Sequence, residues 1–238
     1  MFENLIFQFA NSHVRRAIAQ QLTLSDYDKK LIAPPPEDKP YLLYIHVPFC
    51  HTICTYCSFN RFVFNEQKAR RYFISLRKEI KLIHELGYKF NAIYVGGGTT
   101  SIMIDELLQT IEYAKSLFPT ITEVSCESDP NHIDLDSIRA LKGSINRLSI
   151  GVQSFNDDIL RKIGRYEKFG SGAVIRQRLE AIMGELPIIS VDLIFNFPNQ
   201  TQEMLLEDLR TIKSIAPTQI TTYPLMSSPS VTSALKAA

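Results

Sequence analysis

The sequence predicts an α/β protein whose core is a parallel sheet curved into a partial (β/α)6, TIM-like barrel. Three observations carry this expectation. Apolar stretches of strand length alternate with amphipathic stretches of helical period from residue 41 to about residue 223. Strand, helix, strand repeated in this way calls for parallel pairing through crossover connections. The residues least at home inside a buried element fall just after the strands, where an α/β sheet gathers its functional groups.

Residues 2–21 read as an amphipathic helix with Phe2, Leu5, Ile6, Phe9, His13 and Ala17 on one face, followed by a polar stretch that ends in Pro34, Pro35 and Pro36. We read residues 1–40 as a helical extension with a stiff linker, residues 41–225 as the core, and residues 226–238 as a tail. The core begins with YLLYIHV, residues 41–47, a buried strand. Residues 66–86 form a helix with Ala69, Tyr72, Phe73, Leu76, Ile80 and Ile83 inward, Asn65 able to cap it and Gly87 able to end it. The pattern continues with strand 91–95 and helix 104–118, then strand 121–126 and helix 134–141. Strand 145–150 is followed by helices at 155–163 and 173–184, and strand 188–195 by helix 202–215. A sixth strand follows at 218–223.

Such alternation admits an open doubly wound sheet as well as a barrel. The placement of unusual residues decides between them. Three cysteines follow the first strand, Gly96, Gly97 and Gly98 the second, Glu127 ends the third, Gln153 follows the fourth, and Asp192 interrupts the apolar fifth. Five successive strand ends meet more readily on a curved sheet than on a flat one, whose edges lie far apart.

At 238 residues and 45% hydrophobic content the chain can fill a core. Twenty-six basic residues against twenty-five acidic ones, a net charge of +1, leave no broad basic footprint for nucleic acid or an anionic membrane. No apolar run is long enough to span a bilayer. The opening residues, MFENLIFQFANSHVRR, show neither a basic n-region nor a small-residue cleavage site, so a cytoplasmic location is expected.

Cysteine usage is uneven. Cys50, Cys54 and Cys57 sit in CHTICTYC, whereas Cys126 stands alone and reads as a packed small residue. Three clustered thiols in a reducing compartment suggest metal. Thiolates at intervals of four and three residues can wrap a single inorganic centre from one loop, leaving one coordination position open, as in an iron–sulfur cluster. A structural zinc site closed by His46 or His51 is the rival on spacing alone. The glycines admit a plain tight-turn reading, and Asp192 needs a partner because an unpaired charge in an apolar strand is costly.

C-x-x-x-C-x-x-C after a first strand, with Tyr56 before the last Cys, resembles the signature of the radical S-adenosylmethionine enzymes. YIHVPFC, VGGGTT, ESDP, LSIGVQSFND, GRYEK and VDLIFNFPNQT follow the order of motifs in the oxygen-independent coproporphyrinogen III oxidases and their haem-chaperone relatives, over residues 41 to about 225. The resemblance implies a barrel of radical SAM type. It also implies that Cys50, Cys54 and Cys57 hold a [4Fe–4S] cluster whose free iron binds S-adenosylmethionine. Tyr44, Gly97, Gly98, Thr99, Glu127, Gln153, Arg165 and Asp192 match positions that contact this cofactor. The implied activity is an oxidoreductase reaction through a 5′-deoxyadenosyl radical on a tetrapyrrole in haem metabolism, with a reductase or flavodoxin-type electron donor. The alternative within the family is a haem-binding chaperone without oxidase activity.

Two positions depart from the oxidase pattern. Phe59 stands where those enzymes have a further cysteine, and Asn196 where a glycine is usual. The chain also ends soon after the sixth strand, whereas family members continue into a C-terminal region.

Overall fold

The computed structural model describes residues 34, 35 and 39–226; the helix expected at residues 2–21 and the tail from residue 227 lie outside them. The core opens with β1 (Tyr41–Val47), two short strands β2 (Phe49–Cys50) and β3 (Phe62–Val63), and helix α1 (Glu66–Glu85). Next come β4 (Phe90–Gly97), a 3-10 turn (Thr100–Met103) leading into α2 (Ile104–Leu117), β5 (Glu123–Ser128), α3 (Leu135–Leu141) and β6 (Arg147–Gln153). Three helices follow, α4 (Asp157–Lys162), α5 (Tyr166–Phe169) and α6 (Gly172–Ile182), then β7 (Ile188–Phe195), α7 (Gln202–Ile215) and β8 (Gln219–Pro224).

Six strands make one sheet, parallel throughout, in the order β1-β4-β5-β6-β7-β8. Spatial order follows chain order without a reversal, so the switch point of a doubly wound sheet is missing among the described residues. Crossovers of one hand then put the helices on a single face, as in a barrel. β1 and β8 do not pair with each other, and the barrel stays open between them.

Alternation along the strands divides the sheet into two faces. Ile45, Ile93, Val95, Val124, Cys126, Leu148, Ile150, Val191 and Leu193 are buried in one cluster with Phe73, Leu107, Ile111, Ile138, Leu179 and Ile212 of the helices. Each fully buried side chain of this size contributes about 1.5–3 kcal/mol. The other face carries Tyr44, Tyr94, Ser125, Glu127, Ser149, Ser190, Asp192 and Thr221, brought level with one another by the strand register.

Helix starts follow local chemistry. Asn65 Oδ1 accepts the Lys68 N–H at 3.0 Å, and Gly87 takes a positive φ of 85° just past the end of α1. Asp134, Asn156, Ser171 and Thr201 cap α3, α4, α6 and α7 in the same way.

Several elements differ from the sequence reading. β1 is buried on one side only, with Leu42 and Tyr44 more than half exposed, because it is an edge strand facing the open side of the barrel. β5 starts at Glu123, since Ile121 is held in a turn by a 3.1 Å bond to the Phe118 carbonyl. β4 runs on to Gly97 because His46 and Val47 continue the pairing into the glycines. β2, β3 and α5 are too short to give a periodic signal. Asn196 adopts φ 68°, the left-handed conformation that asparagine tolerates better than most residues and that glycine adopts freely.

Candidate active site

The carboxyl ends of the strands open on a cavity of about 520 Å³. Its first wall is the cysteine loop. β2 pairs with β3, Phe62 N–H donates to the Pro48 carbonyl at 2.6 Å, and Phe64 N–H donates to the Cys50 carbonyl at 2.9 Å. These bonds clasp both ends of the loop, which therefore holds Cys50, Cys54 and Cys57, all free and half-buried, against the cavity. Arg165 Nη1 lies 3.8 Å from Cys54 Sγ, so one cationic donor is turned toward sulfur, while Thr99 Oγ1 lies 3.8 Å from Cys50 Sγ with its single proton given to Asp129 at 2.8 Å. Burial pushes the Cys57 thiol up, and the Phe59 N–H and the Arg61 charge oppose it.

Glycine is required where β4 ends. A Cβ on Gly98 would stand 2.5 Å from the Phe49 carbonyl oxygen, and one on Gly97, at φ 122°, would stand 2.6 Å from the His46 ring. The turn brings bare backbone to the cavity. Its N–H groups are engaged within the protein: Gly97 donates to Glu127 Oε2 at 3.0 Å, Gly98 to the Val47 carbonyl at 2.8 Å and Thr99 to the Phe49 carbonyl at 2.7 Å. Close approach, rather than free donors, is what this turn offers.

The polar sheet face supplies the carboxylates. Glu127 accepts the Tyr94 hydroxyl at 2.8 Å as well as Gly97 N–H, and burial together with the Glu127 charge pushes the Tyr94 phenol up. Asp192 accepts from Ser149 Oγ at 2.8 Å and Ser190 Oγ at 3.1 Å; Ser190 in turn meets Thr221 at 3.0 Å. Burial raises the Asp192 carboxyl even against these bonds. The partner that the sequence demanded for Asp192 is thus a hydroxyl network.

Gln153 stands at a register shift between β6 and β7 with φ 76°, and its Nε2 lies over Gly151, where a Cβ would meet it at 2.7 Å. The turn beyond is pinned by buried Asp208 of α7, which accepts Ser154 Oγ and Phe155 N–H, both at 2.7 Å. Arg165, at the start of α5, is only 4% exposed. Its Nη2 donates to the Gly151 carbonyl, its Nη1 to Tyr56 Oη at 3.0 Å, and its guanidinium lies 4.2 Å from the Phe169 ring centroid. Arg165 Nε is closed off from water and has no acceptor.

Ten of the eleven residues singled out in the sequence line this one cavity. Tyr44 does not. Its hydroxyl meets His46 Nδ1 at 2.9 Å and its ring stacks on Tyr94, 6.1 Å between centroids, so it stands behind the Tyr94–Glu127 pair. His46 Nε2 is bonded to the Asn60 carbonyl at 2.9 Å, and His51 stacks on His132. Among the described residues no three His, Cys, Asp or Glu side chains form a single-ion site.

Sequence reasoning gave no role to Asp129, although ESDP places it two residues after Glu127. It lines the cavity and accepts Thr99 Oγ1 at 2.8 Å, Asn131 N–H at 2.9 Å and the His132 ring at 2.8 Å. Burial would raise its carboxyl, but the bond and charge of His132, the Lys168 charge and the Thr99 bond outweigh this and hold it at about 2. A carboxyl held below its unfolded value stabilises the fold above that value, and the contribution disappears as pH falls through the folded pKa. Between pH 5 and pH 2.5 the apoprotein is therefore expected to lose on the order of 2 kcal/mol more than Asp129→Asn, measured by urea unfolding.

Residues 44–212 match the family model of the radical SAM superfamily. The chain belongs to the radical SAM superfamily. Within it the relatives are HemN/HemW-like. The chain is 34% identical over 193 residues to heme chaperone HemW of Bacillus subtilis, covering 78% of this chain and 50% of that protein. It is 30% identical over 194 residues to the oxygen-independent coproporphyrinogen III oxidase of Helicobacter pylori, covering 77% and 42%. The structure of the radical SAM enzyme coproporphyrinogen III oxidase (HemN) from Escherichia coli superposes with a TM-score of 0.73 at 30% identity, over 86% of this chain and 48% of that one. The chain thus spans about half the length of the curated relatives it matches.

Proposed function

We propose that this radical SAM chain binds a [4Fe–4S] cluster on Cys50, Cys54 and Cys57, holds S-adenosylmethionine in the adjoining cavity, and acts on a tetrapyrrole in the cytoplasm. The observation that carries the reading is the convergence of three thiols, a glycine turn, two carboxylates, an amide and a buried guanidinium from successive strand ends on one cavity. The donor set fits. Three thiols face the cavity with an Arg165 N–H turned toward Cys54, and His46, one candidate for closing a zinc site, has both ring nitrogens hydrogen-bonded. Arg165 lines the cavity as a buried positive charge without a carboxylate partner among the described residues, which suits it to the carboxylate of the cofactor.

When bound, the cluster supplies one electron, received from a reductase or flavodoxin-type donor, to split the sulfonium and start radical chemistry on the substrate. The chain's own residues bind and orient. Glu127 and Asp192 accept from the ammonium and ribose hydroxyls, and Gln153 adds an amide contact. Gly97, Gly98 and Thr99 allow close approach at the methionyl end, and Tyr44 supports Glu127 through Tyr94. Ile194 and Leu225 add apolar surface to the cavity lining.

A haem chaperone without oxidase activity is the second reading, and Phe59 favours it. This residue lines the cavity where the oxidase pattern has a cysteine. Anaerobic incubation of the reconstituted protein with coproporphyrinogen III separates the two. S-adenosylmethionine cleavage with little vinyl product, together with stoichiometric haem binding, is the outcome Phe59 leads us to expect. Robust protoporphyrinogen formation would establish the oxidase instead.

A further inference from the structure

Lys168 and Arg61 are two further cations of the cavity wall. Lys168 donates to the Thr52 carbonyl at 3.3 Å and lies 4.7 Å from the Phe169 ring centroid. Arg61 is less satisfied. Its Nη1 donates to the Phe59 carbonyl at 2.6 Å, whereas its Nε is shut off from water without an acceptor. No carboxylate pairs with Arg61 among the described residues. A guanidinium presents five N–H donors in a planar fork; with Nε enclosed and one Nη1 N–H spent on Phe59, the remaining Nη N–H groups of this cavity-lining residue are the ones left for an anion. Its position is fixed from behind, because β3 begins at the next residue and is bonded to β2.

Phe59, whose carbonyl Arg61 bonds, is 61% exposed, and Ile53, Tyr223 and Met226 are also exposed, all four lining the same cavity. Aromatic and aliphatic side chains with an oriented guanidinium suit a flat apolar body bearing a carboxylate.

We propose that Arg61 anchors a propionate-type carboxylate of the tetrapyrrole while Phe59 takes the face of its ring system. The inference rests on the tetrapyrrole reading above and adds to it which acidic edge enters and where. Arg61 lies four residues beyond Cys57, so the ligand's acidic side chain is drawn toward the cysteine loop.

The test compares protoporphyrin IX, a dicarboxylate, with its dimethyl ester as binding probes for the full-length chain, followed by tryptophan-independent absorbance titration under anaerobic conditions. Wild type is expected to prefer the diacid. Arg61→Gln should weaken diacid binding by about tenfold to a hundredfold, the loss of one charged hydrogen-bonded contact, while ester binding and S-adenosylmethionine binding stay unchanged. Arg61→Lys should recover part of the diacid affinity. Wild-type diacid affinity in Arg61→Gln, or equal loss of diacid and ester, would overturn the anchor while leaving the tetrapyrrole reading in place. Failure of the wild-type chain to bind either porphyrin would remove both.

Discussion

Cys50→Ala, Cys54→Ala and Cys57→Ala are each expected to lose nearly all cluster iron after anaerobic reconstitution, from about four irons per chain in the wild type. Three thiols on one clasped loop have poor substitutes among the described residues: His46 is committed to Tyr44 and Asn60, His51 is stacked on His132, and Cys126 faces the opposite side of the sheet among Val124, Leu148 and their neighbours. Burial, and secondarily the Glu127 charge, push the Cys126 thiol up to about 12, which makes it a poor thiolate donor. Cys126→Ala should therefore keep its iron and cost about 1 kcal/mol of stability through the small void it leaves. Iron analysis and the visible absorption of the four variants decide this. Iron loss in Cys126→Ala equal to that in the other three would show that the ligand set is wrong.

Arg165→Gln is expected to weaken S-adenosylmethionine binding by about tenfold to a hundredfold while leaving the iron content near that of the wild type. The cause is the loss of a buried positive charge that lines the cavity. The same substitution removes a donor from the Gly151 carbonyl and from Tyr56 Oη, so a stability loss of about 1–3 kcal/mol should accompany it. Asp192→Ala and Gln153→Ala should weaken binding in the same direction without the packing loss of a buried arginine. Equilibrium dialysis of the reconstituted variants measures all three. Unchanged affinity in Arg165→Gln would mean that the guanidinium only ties α5 to β6.

The sheet was legible because its buried face is built from β-branched and aliphatic residues at period two, broken by caps such as Asn65 and Thr201. The cysteine loop and the glycine turn were legible because both rest on residue types with few substitutes. The role of Asn196 as a left-handed residue could be stated only once its φ was known. Arg165 was the least secure in the sequence, since most arginines are solvated, and only the fold shows it enclosed by Tyr56, Gly151 and Phe169. The serine network around Asp192 escaped sequence reasoning for another reason. Ser149, Ser190 and Thr221 lie on three different strands, and nothing short of the strand register puts them side by side. Asp129 and Arg61 gave no periodic or spacing signal, because their importance comes from partners gained or lacking across the cavity.

The most direct measurement is 5′-deoxyadenosine formation by the anaerobically reconstituted chain with S-adenosylmethionine and a strong low-potential reductant. A brown protein with about four irons that releases 5′-deoxyadenosine, and loses this activity in Cys54→Ala, is the predicted result. A colourless protein holding one tightly bound zinc and releasing no 5′-deoxyadenosine would contradict the account at its centre.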